Sequence, residues 1–242
     1  MSEQTLDQVN REFVKLLPLK QKWYLLIAGI GIYSVMALVS IINTINLQGL
    51  LSRFSNGDTG AAYELAAMNK EGTTPLSVLL AGIGITCIVF VCMWLYRASL
   101  NLHESGVNYL NYQPGWLVGW FFIPVAHIFM PVLAMKEMVK GNLSLANEND
   151  HSSWQNNAVP KSFYLWSFAY VAKMVVAYGM MFYGVSLARE MANQNVDAQI
   201  DFLQITVYIS YIGTAFLVVE AAALYFLSKQ ITEIQESYSN QN

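Results

Sequence analysis

PGWLVGWFFIPVAHIFMPVLAMKEM, running from Pro114 to Met138, decides how this chain is read. The stretch is too apolar for a surface loop and too rich in proline for a plain membrane helix. Pro124 cannot donate to the carbonyl of Trp120, and Pro131 likewise frees the carbonyl of His127. In lipid such groups need partners. The 22 residues from Pro114 to Met135 would reach about 33 Å as helix, enough to cross a bilayer, whereas the 15 from Trp116 to Met130 reach only about 22 Å. A re-entrant or interfacial hairpin shielded by other helices satisfies the freed carbonyls. A kinked crossing helix with side-chain help would also do so.

Outward from this stretch lie four longer apolar blocks, two on each side. They run over about 23–47, 76–96, 163–187 and 202–227. Each is close to the roughly 20 apolar residues that cross a ~30 Å hydrocarbon layer. Lys20, Lys22, Trp23 and Tyr24 form a basic and aromatic anchor before the first. Gly29, Gly31 and Ser34 offer it a small-residue surface for close helix approach. Between the first two blocks, Ala61 to Asn69 reads as a short helix. The second block continues as helix through Arg97-Ala-Ser-Leu-Asn-Leu-His-Glu104 and stops at Gly106. Residues 1–22 read as an amphipathic N-terminal helix, broken at Pro18, with Leu6, Val9, Phe13, Leu16 and Leu17 at helical spacing. Beyond Met130, residues up to 140 read as an amphipathic helix at the surface, and 229–242 as a fraying helix and polar tail.

The expected fold class is therefore all-α: a polytopic membrane bundle of four transmembrane helices in a single domain over 23–228, plus a proline-broken re-entrant or interfacial segment over 114–140. Composition agrees, with 55% hydrophobic and 12% charged residues in 242, against roughly 25% charged in soluble domains. A net charge of -3 without a basic run argues against a nucleic-acid partner. Cys87 and Cys92, five apart inside an apolar block, do not share a helix face and suggest neither a disulfide nor a metal site.

Charge sets the threading. If the proline-broken segment does not cross, both termini share one side, and that side holds nine of the lysines and arginines against three on the other. If it crosses, the split becomes six against six. The positive-inside rule favours the first arrangement, with four crossings and cytoplasmic termini in a bacterial inner membrane.

Pro114 to Pro131, with Met135-Lys-Glu137 after it, resembles the signature of the bacterial membrane family called domain of unknown function 4328. Trp94-Leu-Tyr-Arg97-Ala-Ser-Leu-Asn101-Leu matches that pattern too, as does Pro160 followed by Trp166. The resemblance covers about Leu76 to Leu227. His127 stands where the family often has Asn, and Met130 where it often has a basic residue. The resemblance implies a polytopic bacterial membrane protein and no particular activity.

Two ionisable residues fall inside spans, where they are costly and face the bundle interior. Lys173 lies about 15 Å deep from the start of the third span and Glu220 about 12 Å deep from the end of the fourth. The short loop between these spans makes them antiparallel neighbours, so Lys173 and Glu220 are expected to pair. Their pairing would fix helix register, or serve as a proton or ion relay. A second candidate is a polar pocket on the cytoplasmic side formed by Arg97, Asn101, His127 and Glu137, in which an arginine could hold a lipid phosphate. Arg97 snorkelling and His127 bonding a freed carbonyl is the structural alternative. Trp116, Trp120 and Trp154 read as interface anchors.

The chain has no Gly-rich phosphate loop, G-x-S-x-G, H-E-x-x-H or C-x-x-C. His103, His127 and His151 share no metal-ligand spacing. No catalytic residue, metal or cofactor is expected, and the lipid bilayer is the first partner, with a second copy of the chain and an anionic headgroup behind it. Three function classes follow: a non-enzymatic scaffold, sensor or partner subunit; a small oligomeric transporter or channel using Lys173 and Glu220; and a lipid-binding or lipid-modifying protein using the Arg97 region.

Overall fold

A computed structural model describes residues 16–70, 75–146, 154–192 and 196–241. Among them the chain is all helix and turn: α1 (Lys20–Ser55), α2 (Thr59–Lys70), α3 (Pro75–Glu104), α4 (Pro114–Gly119), α5 (Ala126–Leu145), α6 (Lys161–Ala192) and α7 (Val196–Gln241), with 3-10 turns at Trp120–Phe122 and Trp154–Asn156. Among the described residues, four helices are long and apolar enough to cross a membrane: Lys20–Ser55, and the stretches Ala81–Glu104, Lys161–Leu187 and Ala198–Gln241. The segment between α3 and α6 is not among them. Of residues 1–22, expected as an amphipathic N-terminal helix, 1–15 lie outside the described ones, Leu16 to Leu19 are not helical, and Lys20 to Lys22 already belong to α1.

Punctuation follows side-chain chemistry. Gly57 turns the chain after α1 with φ +85, a conformation that costs glycine nothing. Asp58 then caps α2, its Oδ1 accepting from Gly60 N at 2.8 Å and Ala61 N at 3.4 Å. Its other oxygen accepts from Arg53 Nε at 2.8 Å, and that guanidinium bond, ahead of the two backbone N–H groups, holds Asp58 below the usual carboxylate range. Pro75 opens α3 at the position where its missing N–H is not needed. Gly106, with φ +82, follows the end of α3 at Glu104, as the sequence implied.

The proline-rich stretch breaks rather than bends. Gln113 is extended and Pro114 begins α4. After the 3-10 turn, Ile123 is extended, as a residue before proline must be. Val125 then takes φ 67 and ψ -51, and Ala126 N donates to Pro124 O at 2.8 Å. This is a γ-turn of the strained hand, held by a β-branched residue for which positive φ is an outlier. Pro124 therefore sits in the break between helices. Pro131 alone lies inside a helix, in the second turn of α5.

The long helices each contribute to two compact units. One comprises Met1–Ile30, Thr86–Ser167 and Ala222–Asn242; the other comprises Gly31–Ile85 and Phe168–Ala221. The first has a dense apolar core: Leu19 and Leu26 of the N-terminal part, Trp94 and Leu95 of α3, Met135 and Met138 of α5, and Leu227 and Ile231 of α7 are all fully or almost fully buried. Helix approach there uses small residues. An added Cβ at Gly29 would lie 3.4 Å from Phe90, and one at Gly141 only 2.8 Å from Leu102. Gly31, expected to share the role of Gly29, faces open space. In the second unit, Leu51 and Val207 are buried, Phe168 meets Phe216 edge-on at 5.9 Å, and Tyr183 stacks on Phe202 at 6.2 Å.

Two expectations change. Residues after Lys229 are not a fraying tail: α7 runs to Gln241, and Ile231, Thr232 and Gln235 are buried in the first unit. The polar composition that suggested a tail is the chemistry of a buried hydrogen-bonded face. Trp154 is not an interface anchor. It is 4% exposed and donates through Nε1 to Asn108 O at 2.8 Å. Trp116, with its ring 5.0 Å from that of Trp120, is 53% exposed, as an anchor would be.

Candidate functional site

The polar residues of the first unit come from segments far apart in sequence. Gln235 of α7 is their hub. Its Nε2 donates to Asn142 Oδ1 at 2.6 Å and to Ala98 O at 2.8 Å, while its Oε1 accepts from Asn101 Nδ2 at 2.9 Å. Asn101 also donates to Leu17 O at 2.8 Å and accepts from Leu17 N at 3.2 Å. Asn142 donates to Met138 O at 2.7 Å. Asn101, Asn142 and Gln235 are all essentially inaccessible. Buried amides cost free energy unless each group finds a partner, and here each amide oxygen and nitrogen has one. The same face of α7 carries Ser228, which accepts from Trp23 Nε1 at 3.2 Å, and Thr232, which accepts from Trp94 Nε1 at 3.2 Å. Glu236 Oε1 accepts from Leu19 N at 3.0 Å and Lys20 N at 3.1 Å. A carboxylate from the far end of the chain thus satisfies orphan donors at the start of α1.

Glu137 is also buried. Its two oxygens accept from Asn111 Nδ2 at 2.7 Å and Tyr112 N at 2.9 Å, fixing the loop that leads into α4. Together with Ser99, His103 and Tyr112 it borders a small space too narrow to admit water. His103 Nδ1 lies 2.8 Å from Ser99 O.

The four residues expected to share a pocket are thus divided. Asn101 belongs to the Gln235 network and Glu137 to the loop before α4. Arg97 is half-buried one turn before Asn101, with no ion pair or side-chain hydrogen bond to any described residue. His127 is half-buried in the first turn of α5, its backbone N–H donating to Ile123 O at 2.9 Å. Sequence reasoning missed Gln235, Asn142 and Glu236. The available signal was the recurrence of Ser228, Thr232 and Gln235 at helical spacing in line with Leu227 and Ile231.

In the second unit, Lys173 of α6 donates through Nζ to Glu220 Oε2 of α7. Their side chains are 22% and 15% exposed, and the ammonium lies 5.9 Å from the ring centre of Tyr170. This is the expected ion pair, joining two helices long and apolar enough to cross a membrane. No group of three potential metal ligands occurs among the described residues.

Among the described residues, four helices long and apolar enough to cross a membrane, with a proline-broken segment that is not, mark a multi-pass integral membrane protein. A family model described as Domain of unknown function (DUF4328) matches residues 58–229, and the chain belongs to that family. No curated protein and no solved structure matches it.

Proposed function

We propose that this is a non-enzymatic membrane protein, a scaffold, sensor or partner subunit, in which the family signature builds a rigid platform. One observation carries this reading. Trp94, Asn101, Glu137 and Trp166, which stand at signature positions, are buried, and the polar atoms of the first three bind other parts of the protein. A signature held for packing needs no ligand. The test is Glu137→Ala, followed by thermal unfolding in mild detergent. Truncation leaves the Tyr112 N–H and the Asn111 amide without their acceptor, at about 1–3 kcal/mol. For a chain of this size that lowers the melting temperature by roughly 3–10 °C. Residues kept for binding or catalysis tend to destabilise the fold that carries them, so an unchanged or raised melting temperature would count against the platform. Positive-inside bias supports cytoplasmic termini in a bacterial inner membrane.

Two specific observations favour other readings. The Lys173–Glu220 pair is a costly feature within a span, of the kind that marks ion or proton paths. A channel or transporter built on it, assembled from several copies, would show proton or ion flux in proteoliposomes that Glu220→Gln abolishes. Arg97, half-buried without an ionic partner among the described residues, suits the phosphate of an anionic lipid. In that case a phospholipid retained in native mass spectrometry would be lost on Arg97→Ala.

A further inference from the structure

The second unit holds a cleft of about 230 Å3 between the last turns of α1 and the early turns of α7. Its walls are Gln48, Ser52, Ser55, Gln204 and Tyr208. Leu51 and Val207 form a buried floor. None of these residues carries a charge at neutral pH. The volume equals that of roughly eight waters at ~30 Å3 each, which is room for one small ring and not for a chain of them.

The hydrogen-bonding capacity of the walls is only partly used. Gln48 Oε1 accepts from Tyr211 OH at 2.8 Å, which fixes the amide and leaves its NH2 group available. The Ser55 hydroxyl donates to Ser52 O at 2.8 Å and keeps its lone pairs. No described residue bonds the Gln204 amide, the Ser52 hydroxyl or the Tyr208 hydroxyl. The Tyr208 side chain is 66% exposed beside them. The cleft therefore offers several donors and acceptors of both kinds, an aromatic surface and no counter-charge. An ionic ligand would lose hydration here without compensation. A ring bearing several hydroxyls can donate and accept at once, and its C–H face can lie against the tyrosine. The span limits expected from sequence, ending near Leu47 and restarting near Phe202, put the cleft at the membrane boundary.

The geometry points to a binding site for a single neutral polyhydroxyl ring, the chemistry of one uncharged sugar unit. Such a ring could arrive as a free sugar or as the headgroup of a glycolipid. The full-length protein in phosphatidylcholine nanodiscs separates these sources. One arm measures saturation-transfer NMR with free glucose, galactose and mannose, with gluconate and glucosamine as charged controls. The other measures, by native mass spectrometry, retention of a monoglucosyl diacylglycerol added to the same bilayer. Gln204→Leu and Ser52→Val, both at exposed positions, are run in parallel with melting curves confirming that they fold.

A neutral sugar signal that falls at least threefold in both variants supports the site with a free ligand. Retention of the glycolipid that falls likewise, without a free-sugar signal, supports it with a lipid ligand. Absence of both signals overturns the proposal. So does a signal that survives both substitutions, or one that the charged sugars give equally.

Discussion

Gln235→Leu probes the polar hub with little change of volume. In the native protein the Gln235 side chain makes three hydrogen bonds within a site that is 1% exposed. The leucine leaves Asn142 Oδ1 with no donor and one N–H of Asn101 with no acceptor. The carbonyl of Ala98 keeps its place in the ladder of α3. Two buried groups left unsatisfied cost about 1–3 kcal/mol each, partly offset by the more apolar side chain, for a net loss near 3 kcal/mol. That corresponds to a fall in melting temperature of roughly 6–12 °C. Tryptophan fluorescence, to which Trp94 contributes, fully buried with its Nε1 on Thr232, reports the transition. Adding Asn142→Leu removes the orphaned oxygen, so the double variant should recover part of the loss, because deleting both partners costs less than deleting one. A single variant within ~1 °C of the parent, the range of an ordinary surface substitution, would refute the reasoning. A double variant that falls by the sum of two independent losses would refute it equally.

Three further outcomes follow from the same contacts. Lys173→Glu alone places like charges together inside a span and should cost at least about 3 kcal/mol, whereas Lys173→Glu with Glu220→Lys restores most of the melting temperature; a double variant no better than the single would show that the two do not pair directly. Gly141→Ala gains up to ~1 kcal/mol in helix propensity but drives its methyl to 2.8 Å from a buried Leu102, so chemical denaturation should show a net loss of about 1 kcal/mol. Asp58, held below its unfolded value by Arg53, stabilises α2 fully above the usual carboxylate range and loses that contribution as pH falls through its depressed value; amide protection factors across Thr59–Lys70, referred to the intrinsic exchange rate at each pH, should fall over that acidic window, and Asp58→Asn should flatten the pH dependence while keeping the cap.

The membrane architecture was legible because a bilayer imposes a length rule on sequence. Four blocks of about 20 apolar residues have one economical meaning, and the depth of Lys173 and Glu220 follows from counting 1.5 Å per residue. That the central stretch is broken was legible in Pro124 and Pro131, and its non-crossing reading came from the split of lysines and arginines; the γ-turn at Val125 was not legible, since nothing in a valine announces positive φ. The polar hub was hidden for a different reason. Asn101, Asn142 and Gln235 are separated by long stretches of chain, and a glutamine in a charged C-terminal helix looks solvated until the fold buries it. For the same reason the grouping of Arg97, His127 and Glu137 into one pocket was unsafe: nearness to a motif in sequence does not fix which face of which helix a side chain occupies.

Topology is the claim on which the rest stands, and a single-cysteine accessibility experiment tests it most directly. In a background of Cys87→Ala and Cys92→Ala, Asn56→Cys and Asn156→Cys each place an exposed thiol in a loop on either side of the proline-broken segment. Four crossings, with the termini in the cytoplasm as proposed, predict that a membrane-impermeant reagent labels Asn56→Cys on intact cells and reaches Asn156→Cys only after permeabilisation. Labelling of both thiols from outside intact cells would mean that the segment from Pro114 crosses the bilayer, and would contradict the account.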